Sequence, residues 1–167
     1  ELWFEPGPVV PGQYEFPIGT AGSTTLVLQT VCWPLLLADR PSEVVIEGGT
    51  HNPMAPTFEF LQRVFGPAVE RMGARMKLTL QRVGFYPAGG GSIRAALEPS
   101  ELSPQRWLSR GRRLGVDGKA IVANLPLSVA RREMNVVHKH LDWPRNTLKT
   151  EVVESRGPGN ALNLAVT

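Results

Sequence analysis

The segment Gly84-Phe85-Tyr86-Pro87-Ala88-Gly89-Gly90-Gly91 separates two runs of strand character, Arg75 to Val83 and Ser92 to Leu97. Three consecutive glycines cost backbone entropy on folding, and a bare hairpin turn needs only one or two. They are therefore expected where the backbone turns steeply or approaches another chain closely. Phe85 and Tyr86 are suited either to stacking on a nucleotide base or to packing on the sheet.

Upstream of this segment, the sequence predicts three more strands. Gln13 to Pro17 alternates and Glu43 to Glu47 is rich in β-branched residues, which indicates a strand in each case. Glu1 to Val10 is predicted as a strand that pairs with Gln13 to Pro17 in a hairpin.

Helices are predicted over about 23–38 and about 57–72, where apolar residues recur at helical spacing. Ser23 to Thr25 supplies hydroxyl N-caps for the first helix, and Gly73 is the expected C-cap of the second. The resulting order is β-α-β-α-β-β. Two helices on one sheet predict an α/β sandwich.

A second unit follows a linker at Pro99 to Pro104. Its predicted elements are a strand at about 119–124, a helix at 127–141 and strands at 148–153 and 161–166. The sequence thus predicts one α/β unit over residues 1–99 and a small α/β unit over 100–167. The second unit looks incomplete at its C-terminus, because it ends in an uncovered strand.

Composition excludes several classes of protein. Hydrophobic residues at 42% and charged residues at 20% are typical of a globular domain rather than a disordered chain. The longest apolar run, Leu26 to Ala38, is shorter than the roughly 20 residues of a membrane span, so no membrane partner is expected. The single cysteine, Cys32, excludes an intrachain disulfide and is predicted to be a buried, inert thiol. No secretory signal is visible, so we expect a cytoplasmic location, or also a nuclear one in a eukaryotic source.

Charge is distributed unevenly along the chain. Residues 1–99 hold 7 Lys+Arg and 9 Asp+Glu, whereas residues 100–167 hold 11 and 6. This asymmetry suggests a polyanionic partner for the second unit, and a solvated basic face explains it equally well.

The loop Gly19 to Thr25 leads into a helix whose free N–H groups suit a phosphate. It lacks the lysine of a phosphate-binding loop, so a tight strand-to-helix turn is the favoured interpretation. A phosphate-shuttling transferase would also need basic residues along this loop, and its sequence contains none.

Isolated polar residues give weaker indications. Gln29, in an apolar helix, is suited either to a ligand contact or to a hydrogen bond with neighbouring backbone. His51 is expected to be an exposed loop residue, and His138 and His140 point to different faces of a helix. The sequence therefore predicts neither a metal site nor a catalytic residue in this chain.

Three motifs in order carry a family resemblance. They are Ile18-Gly-Thr-Ala-Gly-Ser-Thr-Thr-Leu-Val-Leu-Gln29, Gly48-Gly-Thr-His-Asn-Pro-Met-Ala-Pro56 and Gly84-Phe-Tyr-Pro-Ala-Gly-Gly-Gly91. Together they resemble the RNA 3′-terminal phosphate cyclase family. The basic second unit, ending in Gly157-Pro-Gly-Asn160, is similar to the inserted domain of that family.

This resemblance implies an ATP-using ligase of RNA processing that also needs a divalent metal, Mg or Mn. The family adenylylates its own histidine, passes AMP to an RNA 3′-phosphate and closes a 2′,3′-cyclic phosphate with release of AMP. The resemblance also implies a core unit like the C-terminal domain of translation initiation factor 3 and a thioredoxin-like insert.

Matching positions assign roles by resemblance only. Gln29 matches a glutamine that contacts ATP, Pro56 a proline that lines the nucleotide site, and Phe60 an aromatic residue near the adenine. The candidates for RNA phosphates in the basic unit are Arg110, Arg112, Arg113, Lys119, Arg131 and Arg132.

This sequence also differs from the family pattern at several points that bear on catalysis. The family's nucleophilic histidine follows the inserted domain, and its acidic, glycine-rich opening segment precedes the position of Glu1. Val83 also stands where a basic residue often precedes the Gly84 motif. We therefore expect an internal fragment that does not adenylylate itself and whose sheet edges pair in a homodimer or with the missing segments. The alternative is a non-catalytic, cyclase-like protein of RNA binding or ribosome biogenesis.

Overall fold

The computed structural model describes residues 2–167, whose strands form two sheets. The first sheet has the order β1-β2-β4-β3, formed by β1 (Gln13–Pro17), β2 (Ser42–Gly48), β3 (Arg75–Arg82) and β4 (Gly91–Glu98). β1 and β2 are parallel, and the other neighbours are antiparallel. We call this sheet with its helices the first unit.

The parallel pair is joined by helix α1 (Thr24–Leu36). Its N-cap is Ser23, whose Oγ accepts a hydrogen bond of 3.2 Å from the Leu26 N–H, as the sequence predicts. Pro34 lies inside α1, which ends two residues later at Leu36. The proline therefore falls in the last turn, where few hydrogen bonds remain to be lost.

The predicted second helix is helical throughout but is not uniform. It consists of α2 (Phe58–Phe60), a π-helical stretch (Leu61–Phe65) and α3 (Gly66–Arg71), and the Gly66 N–H bonds to the Leu61 carbonyl. Pro67 has no N–H for an α-helical bond and its ring crowds the preceding turn, which the wider π geometry accommodates. Gly73 follows with φ +105°, confirming the predicted glycine C-cap.

Both helical segments cover one face of the first sheet. Leu28, Cys32 and Leu36 recur every four residues along α1 and are almost fully buried. They pack with Leu61 and with residues of the two central strands, namely Val44, Ile46, Ile93, Ala95 and Leu97. The predicted burial of Cys32 is confirmed, and burial raises the pKa of its thiol to about 11, in agreement with an inert side chain.

The second sheet has the order β6-β5-β7, with β5 parallel to β6 and antiparallel to β7. Its elements, here called the second unit, are β5 (Val116–Ala123), α4 (Ser128–Leu141), β6 (Leu148–Val152) and β7 (Gly159–Val166). The helix packs on one face, where Ala120 and Val122 of β5 meet Ala130, Met134 and Val137.

The other face of the second sheet packs against the first unit. Ile121 and Ala123, which alternate with the residues facing α4, contact Phe85 in a small apolar cluster. Phe85 is 3% exposed, whereas Tyr86 is 63% exposed. Of the two predicted roles, stacking on a base or packing on a sheet, Phe85 thus has the second.

The predicted strand over residues 1–10 is wrong for the described residues 2–10, which form no strand, and Glu1 lies outside the described residues. β1 pairs with β2 instead of forming a hairpin with this segment. Pro6 and Pro8 explain the difference, because proline has no N–H to donate to a β-ladder. Within residues 2–167, every helix falls short of the length and apolar character of a membrane span.

Candidate functional site

The start of α1 is fixed to the end of β2. Gly49 donates its N–H to the Gly22 carbonyl at 2.8 Å, and its own carbonyl accepts from the Thr24 N–H at 2.9 Å and the Thr24 Oγ1 at 3.0 Å. The Leu26 N–H is taken by Ser23. These bonds occupy N–H groups that a phosphate would need, so the structure agrees with a tight strand-to-helix turn.

A hydroxyl on α1 connects the helix to the Pro56 loop. Thr25 Oγ1 donates to the Pro56 carbonyl at 2.8 Å. Gln29 lies one turn further along α1 and therefore on the same side as Thr25. It is partly buried, and its side chain makes no hydrogen bond within residues 2–167. Within residues 2–167, the Gln29 amide is thus not engaged in a hydrogen bond.

Phe60 lies in a groove between the helical segment and β7. Its side chain is 41% exposed, and the groove measures about 230 Å³ and is lined also by Val64 and Leu162. Thr57 joins the two walls, because its Oγ1 donates to Asn163 Oδ1 at 3.0 Å. Pro56 and Phe60 therefore flank a residue that holds the two units together.

The prediction that His51 is an exposed loop residue is wrong. His51 is 5% exposed and its ring lies against Phe85, with ring centroids 5.4 Å apart. Nδ1 is 2.8 Å from Thr50 Oγ1, and Nε2 is 2.8 Å from Glu59 Oε2. The sequence indicates a loop but contains no sign that Phe85 and Glu59, from two other segments, cover it.

One tautomer satisfies this network. The Gly84 N–H donates to Thr50 Oγ1 at 3.0 Å, the Thr50 hydroxyl donates to His51 Nδ1, and His51 Nε2–H donates to Glu59. Both ring nitrogens of His51 are thus engaged. The chain of bonds connects the glycine segment to the helical segment and is structural.

Glu59 ends this chain of hydrogen bonds. Burial alone would raise the pKa of the Glu59 carboxyl, but the hydrogen bond from His51, the positive charge that His51 carries when it is protonated, and the charge of Lys119 outweigh it. The pKa of Glu59 therefore lies below its ordinary value. The carboxylate side chain is only 15% exposed, so the interaction is weakly screened by solvent.

The six basic candidates do not form one patch. Arg110, Arg112 and Arg113 lie in an exposed stretch without helix or strand, and Arg131 and Arg132 are exposed on α4. Lys119 lies on the opposite face of the second sheet, where its Nζ is 2.7 Å from Glu151 Oε2. Arg131 also lines a shallow groove of about 270 Å³ with Arg145.

The remaining histidines offer no catalytic cluster. His138 Nδ1 lies 2.8 Å from the Trp143 carbonyl just beyond the end of α4, and His140 is exposed on its last turn. Within the described part of the chain, no three His, Cys, Asp or Glu side chains are arranged to hold a metal ion.

Replacement of Glu59 by glutamine tests the His51 network. The pKa of Glu59 is lower in the folded protein than in the unfolded chain, where it is about 4.3. The ionised carboxylate therefore stabilises the fold above the unfolded pKa, and this stabilisation is lost as the pH falls through the folded pKa. We expect Glu59→Gln to lower the free energy of unfolding by about 1 kcal/mol at pH 7, the difference between a charged and a neutral hydrogen bond. Urea unfolding at pH 7 and below pH 4 should show the deficit shrinking at low pH. Glu5→Gln, at an exposed position, is the control, and a deficit independent of pH would contradict the account.

Comparison with known proteins agrees with the three sequence motifs. A family model described as RNA 3′-terminal phosphate cyclase matches residues 1–150. Proteins of that name from Pseudomonas fluorescens and Koribacter versatilis are 52% and 50% identical over 98% and 99% of this chain. One from Salmonella typhimurium is 42% identical over 99% of the chain.

This chain spans 47–49% of the length of these three relatives. The match nevertheless extends through both units and includes the Gly84–Gly91 segment. The chain belongs to the RNA 3′-terminal phosphate cyclase family.

Proposed function

We propose that this chain forms part of an ATP-dependent ligase that converts an RNA 3′-phosphate into a 2′,3′-cyclic phosphate. The observation that carries the proposal is the match to proteins named RNA 3′-terminal phosphate cyclase along almost the whole chain. The Gln29 amide supports it, because it has no hydrogen-bond partner within residues 2–167 and lies one helical turn from Thr25, which bonds to the Pro56 carbonyl, and a nucleotide site needs an unengaged hydrogen-bonding group.

The proposed chemistry uses AMP as the activating group. A histidine of the enzyme attacks the α-phosphorus of ATP and displaces pyrophosphate. The RNA 3′-phosphate then attacks the histidine-bound AMP, takes over the AMP group and releases the histidine. The terminal 2′-hydroxyl next attacks the activated phosphorus, loses its proton, and displaces AMP as the ring closes. The residues of this chain contribute binding: Gln29 hydrogen-bonds to ATP, Pro56 lines the nucleotide site, and Phe60 packs near the adenine.

The architecture proposed for the family accommodates both observed sheets. Residues 1–99 would form the core unit, like the C-terminal domain of translation initiation factor 3, and residues 100–167 the thioredoxin-like insert. The β-α-β-α-β-β order of the first unit and the single helix on a mixed second sheet support this assignment.

A divalent metal is also implied for the reaction. The residues described here do not fit a metal site of their own, since they form no cluster of three ligating side chains. No step assigned to this chain therefore passes through a metal.

ATP binding tests the assignment of Gln29. We expect Gln29→Ala to weaken ATP binding roughly twofold to tenfold, the equivalent of one hydrogen bond. Isothermal titration calorimetry with Mg²⁺ and ATP measures the effect. Gln105→Ala, an exposed glutamine outside any helix or strand, should bind like the wild type. Equal affinities for all three proteins would remove Gln29 from the site. RNA binding without any ATP binding would favour the non-catalytic alternative.

Covalent labelling tests whether a nucleophile lies in this chain. We expect no stable AMP adduct after incubation with α-labelled ATP and Mg²⁺ or Mn²⁺, because both ring nitrogens of His51 are engaged, and His138 and His140 lie in the last turn of α4, in the other unit from Gln29. Denaturing gels with α- and γ-labelled ATP in parallel distinguish AMP transfer from phosphorylation. A stoichiometric α-label on the chain would refute this expectation.

A further inference from the structure

A cleft lies where the two units meet, beside the Gly19–Thr20 turn. Arg82 enters it from the end of β3 and Arg156 from the second unit, next to Gly90 and Glu47. The sequence around Gly19 contains no basic residue. The fold supplies two from distant segments, so the basic residues missing from the loop in sequence are present beside it in space.

Arg82 is held in place at the edge of this cleft. Its Nε donates to the Gly90 carbonyl at 3.0 Å, and its Nη2 donates to Glu47 Oε1 at 3.1 Å. These two bonds use one edge of the guanidinium and leave Nη1 without a partner in residues 2–167. Arg82 thus presents a fixed donor to the cleft.

Arg156 crosses the glycine segment. A Cβ added at Gly90, which has φ +73°, would lie within 3.0 Å of the Cδ, Nε and Cγ atoms of Arg156. The glycine therefore makes room for the stem of this arginine. Within residues 2–167, no carboxylate oxygen lies within 4.0 Å of its guanidinium. Its charge is consequently not neutralised by a neighbouring side chain.

The backbone packs closely around the cleft, which is lined also by Pro17, Thr20 and Ala88. A Cβ added at Gly89 would lie 3.0 Å from the Thr20 carbonyl, and one at Gly48 would clash with the Gly22 carbonyl. Two guanidinium groups and one carboxylate, that of Glu47, line the cleft, which gives it a net positive charge. Its volume of about 140 Å³ is below the roughly 300 Å³ of the smallest typical small-molecule pockets. The cleft thus fits one anionic group rather than a whole nucleotide.

We propose that this cleft is a phosphate-binding site in which Arg82 and Arg156 hold a single phosphate of bound RNA. Guanidinium groups bind phosphate oxygens in forked geometry, and the exposed position of Arg156 suits a polymer that crosses the surface. The RNA source of the phosphate rests on the proposed function. A phosphate of ATP has the same chemistry, and the test distinguishes the two.

Salt-dependent RNA binding provides the test. A phosphate contact releases counterions when it forms. Affinity falls as salt rises, and loss of one contact makes the slope of log affinity against log salt less steep by about one. We expect Arg156→Gln to weaken binding of a fluorescein-labelled RNA oligonucleotide with a 3′-phosphate about threefold to tenfold and to lower this slope by about one. Arg40→Gln, an exposed arginine beside Asp39, is the matched control and should leave affinity and slope unchanged.

Further variants keep the result interpretable. Arg156→Lys retains the charge and should retain the slope. Arg82→Gln should lower the slope as well, and thermal unfolding establishes that each variant is folded. If the wild type binds RNA and both Arg82→Gln and Arg156→Gln keep the wild-type salt slope, this inference is overturned and the proposed function stands. Weaker ATP binding in Arg156→Gln with an unaltered RNA slope would overturn the RNA source and assign the site to the nucleotide. Wild type that binds neither RNA nor ATP would contradict both proposals.

Discussion

The close backbone approach at Gly84 is the constraint on which the rest of the structure depends. A side chain there would lie within 3.0 Å of the Gly91 N–H nitrogen and the Gly48 carbonyl oxygen. Because glycine allows this approach, the Gly84 carbonyl accepts the N–H groups of Thr50 and His51 at 2.8 and 3.1 Å. The next residue, Phe85, then enters the space that Gly159 leaves open on the second sheet. The glycine contact thus places Phe85 between the units, where the Thr57–Asn163 hydrogen bond also joins them.

The contact between the two units at Gly84 and Phe85, here called the joint, also positions the polar side chains described above. On one side, hydrogen bonds run from Gly84 through Thr50 and His51 to Glu59, beside the groove that contains Phe60. On the other side, the Gly89–Gly90 turn holds Arg82 and Arg156 against the Gly19–Thr20 turn. The nucleotide and phosphate sites proposed here therefore depend on a fixed relation between the units. Family membership itself is shown by sequence comparison.

The elements of the fold could be predicted from the sequence, whereas contacts such as that between His51 and Glu59 could not. Periodicity and turn residues predicted the element order from residue 13 onwards, since helices and strands leave local patterns. The strand predicted over residues 1–10 is absent from residues 2–10, because Pro6 and Pro8 have no N–H to donate to a β-ladder. The burial of His51 and the meeting of Arg82 with Arg156 were beyond sequence reasoning, because each depends on contacts between segments far apart in the chain. The roles of Gln29, Pro56 and Phe60 came from family resemblance and stay predictions.

Native-state hydrogen exchange tests most directly whether the joint makes the two units one cooperative body. The Thr50 amide donates to Gly84 in the first unit, and the Ile121 amide lies in the central strand of the second sheet. We predict that both amides exchange with the same opening free energy and the same dependence on low urea concentrations, because the joint opens only on global unfolding. Exchange of Ile121 through a separate, lower-energy opening, with Thr50 still protected, would contradict the account.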